Sequence, residues 1–413
     1  MSSTTYELNA SPQAPRVYAT RRGGNWLLTM TCLLVAAATI GQLRVEVGGL
    51  FVPLFVVPVL LAIPTIVMPS WSQFPRRVRT ALLVFFFLFA FSVLRYGESF
   101  GDLIKMGSSV MTIFAVALMV RRREDFVRGT QALCVSLLVA NVNGLRGGFV
   151  EYEGYRPLGD IANKNAYSLY ALPVILFAGF MLLNFRTGLW TKLLVAAAVV
   201  STAFLLFSGG NRSGWGGMLL IAALLALQTR RWRTVLVVGG LSLASYATFT
   251  LLGTRQTFDY RIQQTREGYA SDQQRVSLFE TSMEIALDNP IFGTTPQELN
   301  YELAKRMRSD LPQLDTHNFI GYIAGGSGFP TLLALLVVAI QLCRRPTSAS
   351  PNVQAATDLI RLLCVLFVLR GMFSRELFFV GPFPITLGLA VGLSIVSTRE
   401  GTAAPPSPVR SPA

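Results

Sequence analysis

Residues 80–95 read TALLVFFFLFAFSVLR and hold no charged side chain before the final arginine. A helix rises 1.5 Å per residue, so a block of this size approaches the roughly 30 Å thickness of a hydrocarbon core. The apolar residues do not alternate with polar ones, as those of a barrel strand of about 10 residues would. Because lipid offers no partners for backbone hydrogen bonds, the block predicts a membrane-spanning helix.

Similar blocks recur along the chain of 413 residues, which is 52% hydrophobic and only 14% charged. A soluble domain carries about 25% charged residues. We therefore predict an all-α polytopic membrane protein with about twelve transmembrane helices. The predicted helices cover residues 26–43, 50–68, 80–95, 103–120, 129–145, 166–185, 192–209, 213–228, 234–253, 318–342, 358–373 and 383–398.

Two polar tails and one long loop flank these helices. The loop contains two stretches with helical spacing, 272–289 and 297–308. A connection of this length is a candidate for function. The predicted segments are a cytoplasmic tail (1–25), helices 1–9 (26–253), the loop (254–317), helices 10–12 (318–398) and a disordered cytoplasmic tail (399–413).

Basic residues in the short loops predict the orientation, because the loops on one side are rich in them and the loops on the other side are poor. The poor loops hold only single basic residues such as Arg44 and Arg95. The rich loops are therefore predicted to be cytoplasmic, which places both termini in the cytoplasm and the loop 254–317 on the outer face. The rich loops contain 76–79, 121–123, 230–233 and 344–345.

The net charge of +14 would suggest nucleic acid in a soluble protein. Here topology explains much of it, so we expect membrane lipids rather than nucleic acid as partners. No Walker A or dinucleotide-binding loop is present, and no Asp-x-Asp pair could hold a metal on a diphosphate. The four cysteines form no C-x-x-C pair. We predict neither a cofactor nor a metal site.

His317 is the one histidine of the chain, and it lies where the long loop re-enters the membrane. A neutral imidazole can accept a proton near pH 7, so His317 is a candidate general base. The alternative is a polar residue at a helix start, with Thr316 or Asn318 as the cap.

Two arginines are candidates for binding phosphate. Arg212 lies in a short Gly-rich turn between two apolar blocks, so it is held near the membrane surface, where an arginine usually has a partner. A snorkelling side chain is the alternative. Arg275 begins a helix of the long loop, where free N–H groups attract anions. Arg156 in the loop 146–165 is a further candidate, with Asn165 nearby.

Several short motifs together resemble the O-antigen ligase and polymerase superfamily. The similarity spans roughly residues 26–398, and the long late loop ending in His-Asn is its most specific part. The motifs are Arg156-Pro157-Leu158-Gly159 followed by Asn165, Asn211-Arg212-Ser213-Gly214, Pro290-Ile291-Phe292-Gly293, and His317-Asn318 with Gly328 beyond it.

The resemblance implies a GT-C-like glycosyltransferase of the bacterial inner membrane, with its active site facing the periplasm. Such an O-antigen ligase transfers a glycan from undecaprenyl diphosphate to lipid A–core in lipopolysaccharide biosynthesis. By match of position, His317, Arg212 and Arg275 would be the catalytic groups. Substrate-binding residues would be Arg156, Asn165, Asn211 and Asn318.

Two positions depart from the ligase pattern. Thr331 replaces the second glycine of Gly-x-x-Gly, which would alter helix packing near the site, and Phe279 replaces a leucine four residues after Arg275. The alternatives are an O-antigen polymerase, a protein-directed oligosaccharyltransferase, a lipid-linked glycan flippase and a membrane scaffold. The lack of repeat symmetry between the two halves disfavours a transporter.

Overall fold

The computed structural model describes residues 25–35, 44–47, 50–95, 100–146, 149–150, 154–155, 164–208, 212–229, 240, 270–344, 350–372 and 382–402. Most of these residues are helical. The helices are α1 (Trp26–Leu33), α2 (Val56–Gln73), α3 (Arg76–Arg95), α4 (Phe100–Met119), α5 (Arg123–Arg146), α6 (Lys164–Asn184), α7 (Leu189–Ser208), α8 (Arg212–Thr229), α9 (Ala270–Asp288), α10 (Pro296–Arg306), α11 (Phe319–Cys343), α12 (Pro351–Gly371) and α13 (Pro382–Thr402).

Two short antiparallel ribbons interrupt the helices. Strand β1 (Arg44–Val47) pairs with β2 (Leu50–Pro53), and β3 (Phe149–Val150) pairs with β4 (Gly154–Tyr155). Both ribbons are short connections between helices, so the predicted helical fold class is confirmed. The predicted helix 50–68 begins at Val56, because the residues before it form a strand and a turn.

The protein is a polytopic helical membrane protein. Eight helices within the described ranges are long and apolar enough to cross a membrane, so the predicted count of twelve is not shown. Of the other predicted spans, 129–145 corresponds to α5, which carries polar side chains inside the bundle, and 213–228 to the shorter α8. Helix α1 ends at Leu33, and the rest of 26–43 extends past the described residues. In 234–253 only Gly240 is described.

The bundle is covered by apolar side chains on the outside as well as inside. Helices α6 and α13 are the most enclosed, whereas α3, α7 and α12 are buried along one side only. Phe87 is 65% exposed and Leu227 is 74% exposed. Large apolar side chains exposed in such numbers would be unfavourable in water, so lipid is the solvent these faces require.

The long loop builds a small hydrophobic core of its own. Helices α9 and α10 pack against each other and against α11. This core is separate from the large core of the membrane helices. It contains Leu278, Ile285, Leu299, Leu303, Ala304 and Leu314. The loop is thus a folded unit seated on α11.

The face of α9 that packs in this core carries Leu278 and Ile285, whereas Val276 and Leu287 are 57% and 67% exposed. Within α10, Arg306 Nε lies 3.8 Å from Glu302 Oε2, one turn earlier.

Candidate functional site

One end of the bundle is held together by buried polar side chains. We call it the site end, defined by Ser168, Asn318 and Met372. Asn141 of α5 donates through Nδ2 to Ser201 Oγ at 2.7 Å and to Thr202 Oγ1 at 3.0 Å, both on α7. Its Oδ1 accepts from the Tyr167 hydroxyl of α6 at 2.6 Å. Hydrogen bonds between membrane helices contribute about 0.6 kcal/mol each on average, so this network aligns three helices.

The same end includes the start of α8. The indole Nε1 of Trp215 donates to the carbonyl of Leu206 at 2.7 Å, and its ring stacks on Phe207 with centroids 5.3 Å apart. Helix α8 also packs against α6 and α12. Arg212 is the first residue of α8, so its backbone lies at the site end.

His317 and Asn318 form the entry to α11. The side chain of Asn318 is the helix cap: its Oδ1 accepts from the backbone N–H of Gly321 at 2.9 Å, and its Nδ2 donates to the carbonyl of Met372 at 3.3 Å. His317 is partly buried and has a φ of 48°, in the left-handed region. Its backbone N–H donates to Asp315 Oδ1 at 3.0 Å. Such a conformation costs about 1–2 kcal/mol for a residue with a Cβ.

A glycine clamp joins the long loop to α11. We use this name for Gly293 and Gly328 together with the backbone segments that these two glycines contact. The clamp is closed by two hydrogen bonds of 2.9 Å, from the Phe329 N–H to the Pro290 carbonyl and from the Thr294 N–H to the Gly325 carbonyl. The motif Pro290–Gly293 is therefore structural, because it seats the loop.

The clamp requires glycine at both positions. Gly293 and Gly328 have φ values of 65° and 81°. A methyl group on Gly293 would lie 2.5 Å from the backbone of Gly326, and one on Gly328 would overlap the carbonyl of Ile291. Gly328 also divides α11 with a kink.

Thr331 fits this kink without a second glycine. It is buried, and its hydroxyl donates to the Ser327 carbonyl one turn earlier at 2.9 Å. Thr331 is therefore accommodated in this turn by a hydrogen bond of its own helix.

The packing of α9 on α11 brings Arg275 and His317 to the same end of the bundle. Along α9, Phe279 and Ser282 contact Gly321, Ser282 also contacts Gly325, and Ile291 beyond the helix contacts Gly328. The contacts advance in the same direction along both segments, so the segments run in parallel. Arg275 lies one turn before Phe279 on α9, and His317 immediately precedes the cap of α11. Both residues therefore lie near the start of this packed pair of segments.

Arg370 is a site-end residue that sequence reasoning missed. It lies in the last turn of α12 and is 4% exposed, and its Nη2 donates to Ser168 Oγ of α6 at 2.6 Å. The positive charge of Arg275 acts on it. An arginine near the end of the apolar block 358–373 is the signal that could have identified it, by the argument applied to Arg212.

The remaining predicted residues are placed only in part. Asn165 lies in the first turn of α6, three residues before Ser168. Arg156 and Asn211 fall outside the described residues. The structure therefore places Arg275, His317 and Asn318 at one end of the bundle, with the backbones of Arg212 and Asn165 at the same end.

The model of a protein family described as O-antigen ligase matches residues 196–336. Over this region the chain is similar to the O-antigen ligase family. The matched region contains α8, the loop helices, the glycine clamp and the entry to α11, whereas Arg156, Asn165 and Arg370 lie outside it. A search of curated protein sequences finds no significant match.

Proposed function

We propose that the protein is an O-antigen ligase that transfers a glycan from undecaprenyl diphosphate to lipid A–core at the periplasmic face of the bacterial inner membrane. The observation that supports the proposal is that Arg275 and His317 lie at the same end of a membrane bundle, within the region that matches the family. In the proposed mechanism, this end supplies a cation and a proton acceptor to a lipid-linked donor.

The proposed chemistry is a single displacement with inversion. The acceptor hydroxyl attacks the anomeric carbon from the face opposite the diphosphate, and His317 takes the hydroxyl proton as the new C–O bond forms. The bond to the diphosphate breaks, and its electron pair stays on the departing oxygen. General-base assistance of this kind contributes about 10²–10⁴ in rate.

Arg212 and Arg275 are assigned to the leaving group. The diphosphate gains negative charge as the bond breaks, and fixed donors aimed at that charge contribute about 3–4 kcal/mol each in comparable sites. A guanidinium stays charged and offers a planar fork that fits phosphate oxygens. We assign no metal ion, because the cationic side chains stabilise the negative charge that develops on the leaving group. If EDTA abolished activity and Mg²⁺ restored it, that assignment would be wrong.

The strained backbone of His317 supports its role. A left-handed residue other than glycine is costly, and such residues persist where the surrounding structure holds them for function. A residue kept only as a polar helix entry would not need this conformation, because Asn318 already caps the helix.

The proposed orientation places the site end on the periplasmic side. The basic residues 76–79, 121–123 and 344–345 lie in the loops at the opposite end of α3, α5 and α11. The positive-inside rule then makes that end cytoplasmic.

An O-antigen polymerase uses the same donor and belongs to the same superfamily. Reconstitution with defined substrates separates the two activities. Purified protein is mixed with undecaprenyl-diphosphate glycan and either lipid A–core or a second donor molecule. One transfer to lipid A–core identifies the ligase, whereas growth of the glycan identifies the polymerase. Movement of labelled donor across vesicles without any acceptor would instead identify a flippase and overturn both.

A further inference from the structure

Arg370 is buried with unsatisfied donors. Its Nη2 is bonded to Ser168, but its Nε and Nη1 are buried and have no hydrogen-bond partner within the described part of the chain. Unpaired buried donors cost about 1–3 kcal/mol, and more on a charged group. A buried arginine in these surroundings is unfavourable unless another group supplies acceptors for its unpaired donors.

The described residues supply no carboxylate for this purpose. None of the ion pairs that join them includes Arg370. The charge that acts on it is that of Arg275, which is also positive. Two cations in a poorly solvated place repel each other, and an anion bound between them would be attracted by both.

The surroundings of Arg370 belong to the candidate site. Its partner Ser168 lies in the second turn of α6, whose first turn holds Asn165. Two residues beyond Arg370, the Met372 carbonyl accepts from Asn318. The guanidinium thus lies between the starts of α6 and α11. Helix starts carry positive partial charge, which adds to the attraction for an anion.

A purely structural role is the competing account. A cation near the end of α12 complements the negative end of the helix dipole. That role is fulfilled by an exposed side chain and requires neither burial nor unpaired nitrogens. It also gives no reason to place two arginines close together.

We propose that Arg370, oriented by Ser168, is a further binding residue for the diphosphate of the lipid-linked donor, which it contacts through its unpaired N–H groups together with Arg275. The identity of the lipid rests on the proposed function. The attraction for a phosphate or diphosphate follows from the burial and the unpaired donors of Arg370 itself.

The test measures binding without turnover. Full-length protein in detergent is unfolded by heat with increasing undecaprenyl diphosphate that carries no glycan, and the rise in midpoint gives an apparent Kd. We expect Arg370→Met to weaken binding at least about tenfold, since it removes charge-assisted hydrogen bonds. We also expect its ligand-free midpoint to equal or exceed that of the wild type, because the unpaired buried donors are gone.

Arg361→Gln is the matched control. Arg361 lies at the middle of the same helix, and its Nε and Nη2 donate to the carbonyl of Cys343, the last residue of α11, at 3.0 and 2.9 Å. We expect this variant to bind the lipid as the wild type does. Loss of binding in both variants would indicate a general effect of α12 and overturn the proposal.

Wild-type affinity in Arg370→Met would also overturn it, as would a lowered ligand-free midpoint with an intact ligand shift. If Arg370→Met does not fold, Arg370→Lys decides. Weaker binding at a wild-type midpoint supports the proposal, and unchanged binding contradicts it. An equal shift with phosphatidylglycerol would make this a headgroup site and overturn the assignment to the donor.

The outcomes separate this inference from the proposed function. A wild-type protein that binds undecaprenyl diphosphate but transfers no glycan would contradict the ligase proposal and leave the Arg370 site standing. An Arg370→Met variant that transfers glycan with wild-type rate and donor affinity would contradict the Arg370 site and leave the ligase proposal standing.

Discussion

The two ends of the helix bundle hold their arginines in different ways. At the basic end, defined by Arg123, Arg361 and Glu400, each described arginine contact has a protein acceptor. Arg123 pairs with Glu400 at 2.5 Å, and Arg361 contacts a carbonyl and Asp358. At the site end, Arg370 is buried beside the charge of Arg275, and its acceptor is the Ser168 hydroxyl rather than a carboxylate among the described residues.

This difference separates two uses of the same side chain. Arginines at the basic end join helices to each other and to their loops, so their partners are already in the chain. Within the described residues, the buried guanidinium of Arg370 at the site end has no carboxylate partner. The second arrangement is expected of groups whose partner is a substrate. The predictions that follow test this contrast.

The largest effect is expected for His317→Ala at the site end. Loss of the proton acceptor should reduce glycan transfer about 10²–10⁴-fold. The protein should remain folded, since the described hydrogen bond of His317 uses its backbone N–H. Transfer to lipid A–core is followed by mass spectrometry, with circular dichroism as the check on folding. A rate above half that of the wild type would remove His317 from the mechanism.

Replacement of Arg212 by lysine tests whether arginines at the site end differ in function from those at the basic end. We expect Arg212→Lys to lose about 10²–10³ in rate, nearly as much as Arg212→Ala, because a point charge does not replace the planar fork. The matched control is Arg79→Lys at the basic end, where Arg79 Nη1 donates to the Trp71 carbonyl at 2.9 Å. Initial transfer rates should be unchanged there. An active Arg212→Lys enzyme would show that charge alone is sufficient.

Adding a single methyl group should disrupt the packing of the glycine clamp. Gly328→Ala combines a left-handed backbone with an overlap on Ile291, so we expect a loss of about 2–4 kcal/mol in unfolding free energy and of most transfer activity. In Gly188→Ala the methyl group meets nothing within 4 Å, which makes it the control. Thermal unfolding compares the two variants. Equal stability would mean that the clamp does not seat the loop.

The variant His317→Gly should separate backbone strain from chemistry. Glycine adopts a φ of 48° without penalty, so the variant should be about 1 kcal/mol more stable than His317→Ala. Both variants should be inactive. The check is the difference between their unfolding midpoints, and a less stable glycine variant would contradict the strained backbone.

The smallest effect is expected at the basic end. Arg123→Gln removes the ion pair with Glu400, whose partners are 31% and 48% exposed, so the loss of stability should be under about 1 kcal/mol. Transfer rates should not change. A large loss of activity in this variant would break the distinction between the two ends.

Apolar block length was sufficient to predict most helices but not their ends. The predicted helix 358–373 begins at Pro351, where Ser350 Oγ accepts from the Val353 N–H. Hydropathy reports where lipid contact ends, whereas a helix continues until a cap ends its hydrogen bonding. The Ser-Pro pair was a readable signal for that start.

Residue type identified His317 and Arg275, but their position at one end of the bundle depends on contacts distant in sequence. The packing of the loop on α11 requires that Gly293 contacts Gly326 and that Ile291 contacts Gly328. No local sequence pattern predicts these contacts. The same holds for Arg370, since its partner Ser168 is 202 residues away. The kink at Gly328 likewise follows from tertiary packing rather than from propensity.

The parallel register between α9 and α11 makes chain length itself a determinant of the site. Each residue of a helix turns the following side chain by about 100°. Deleting one residue between Arg275 and Pro290 would therefore swing the guanidinium about a quarter of the way around α9 while every chemical group was retained. An enzyme engineered by insertion or loop grafting here would lose alignment before it lost any reactive atom.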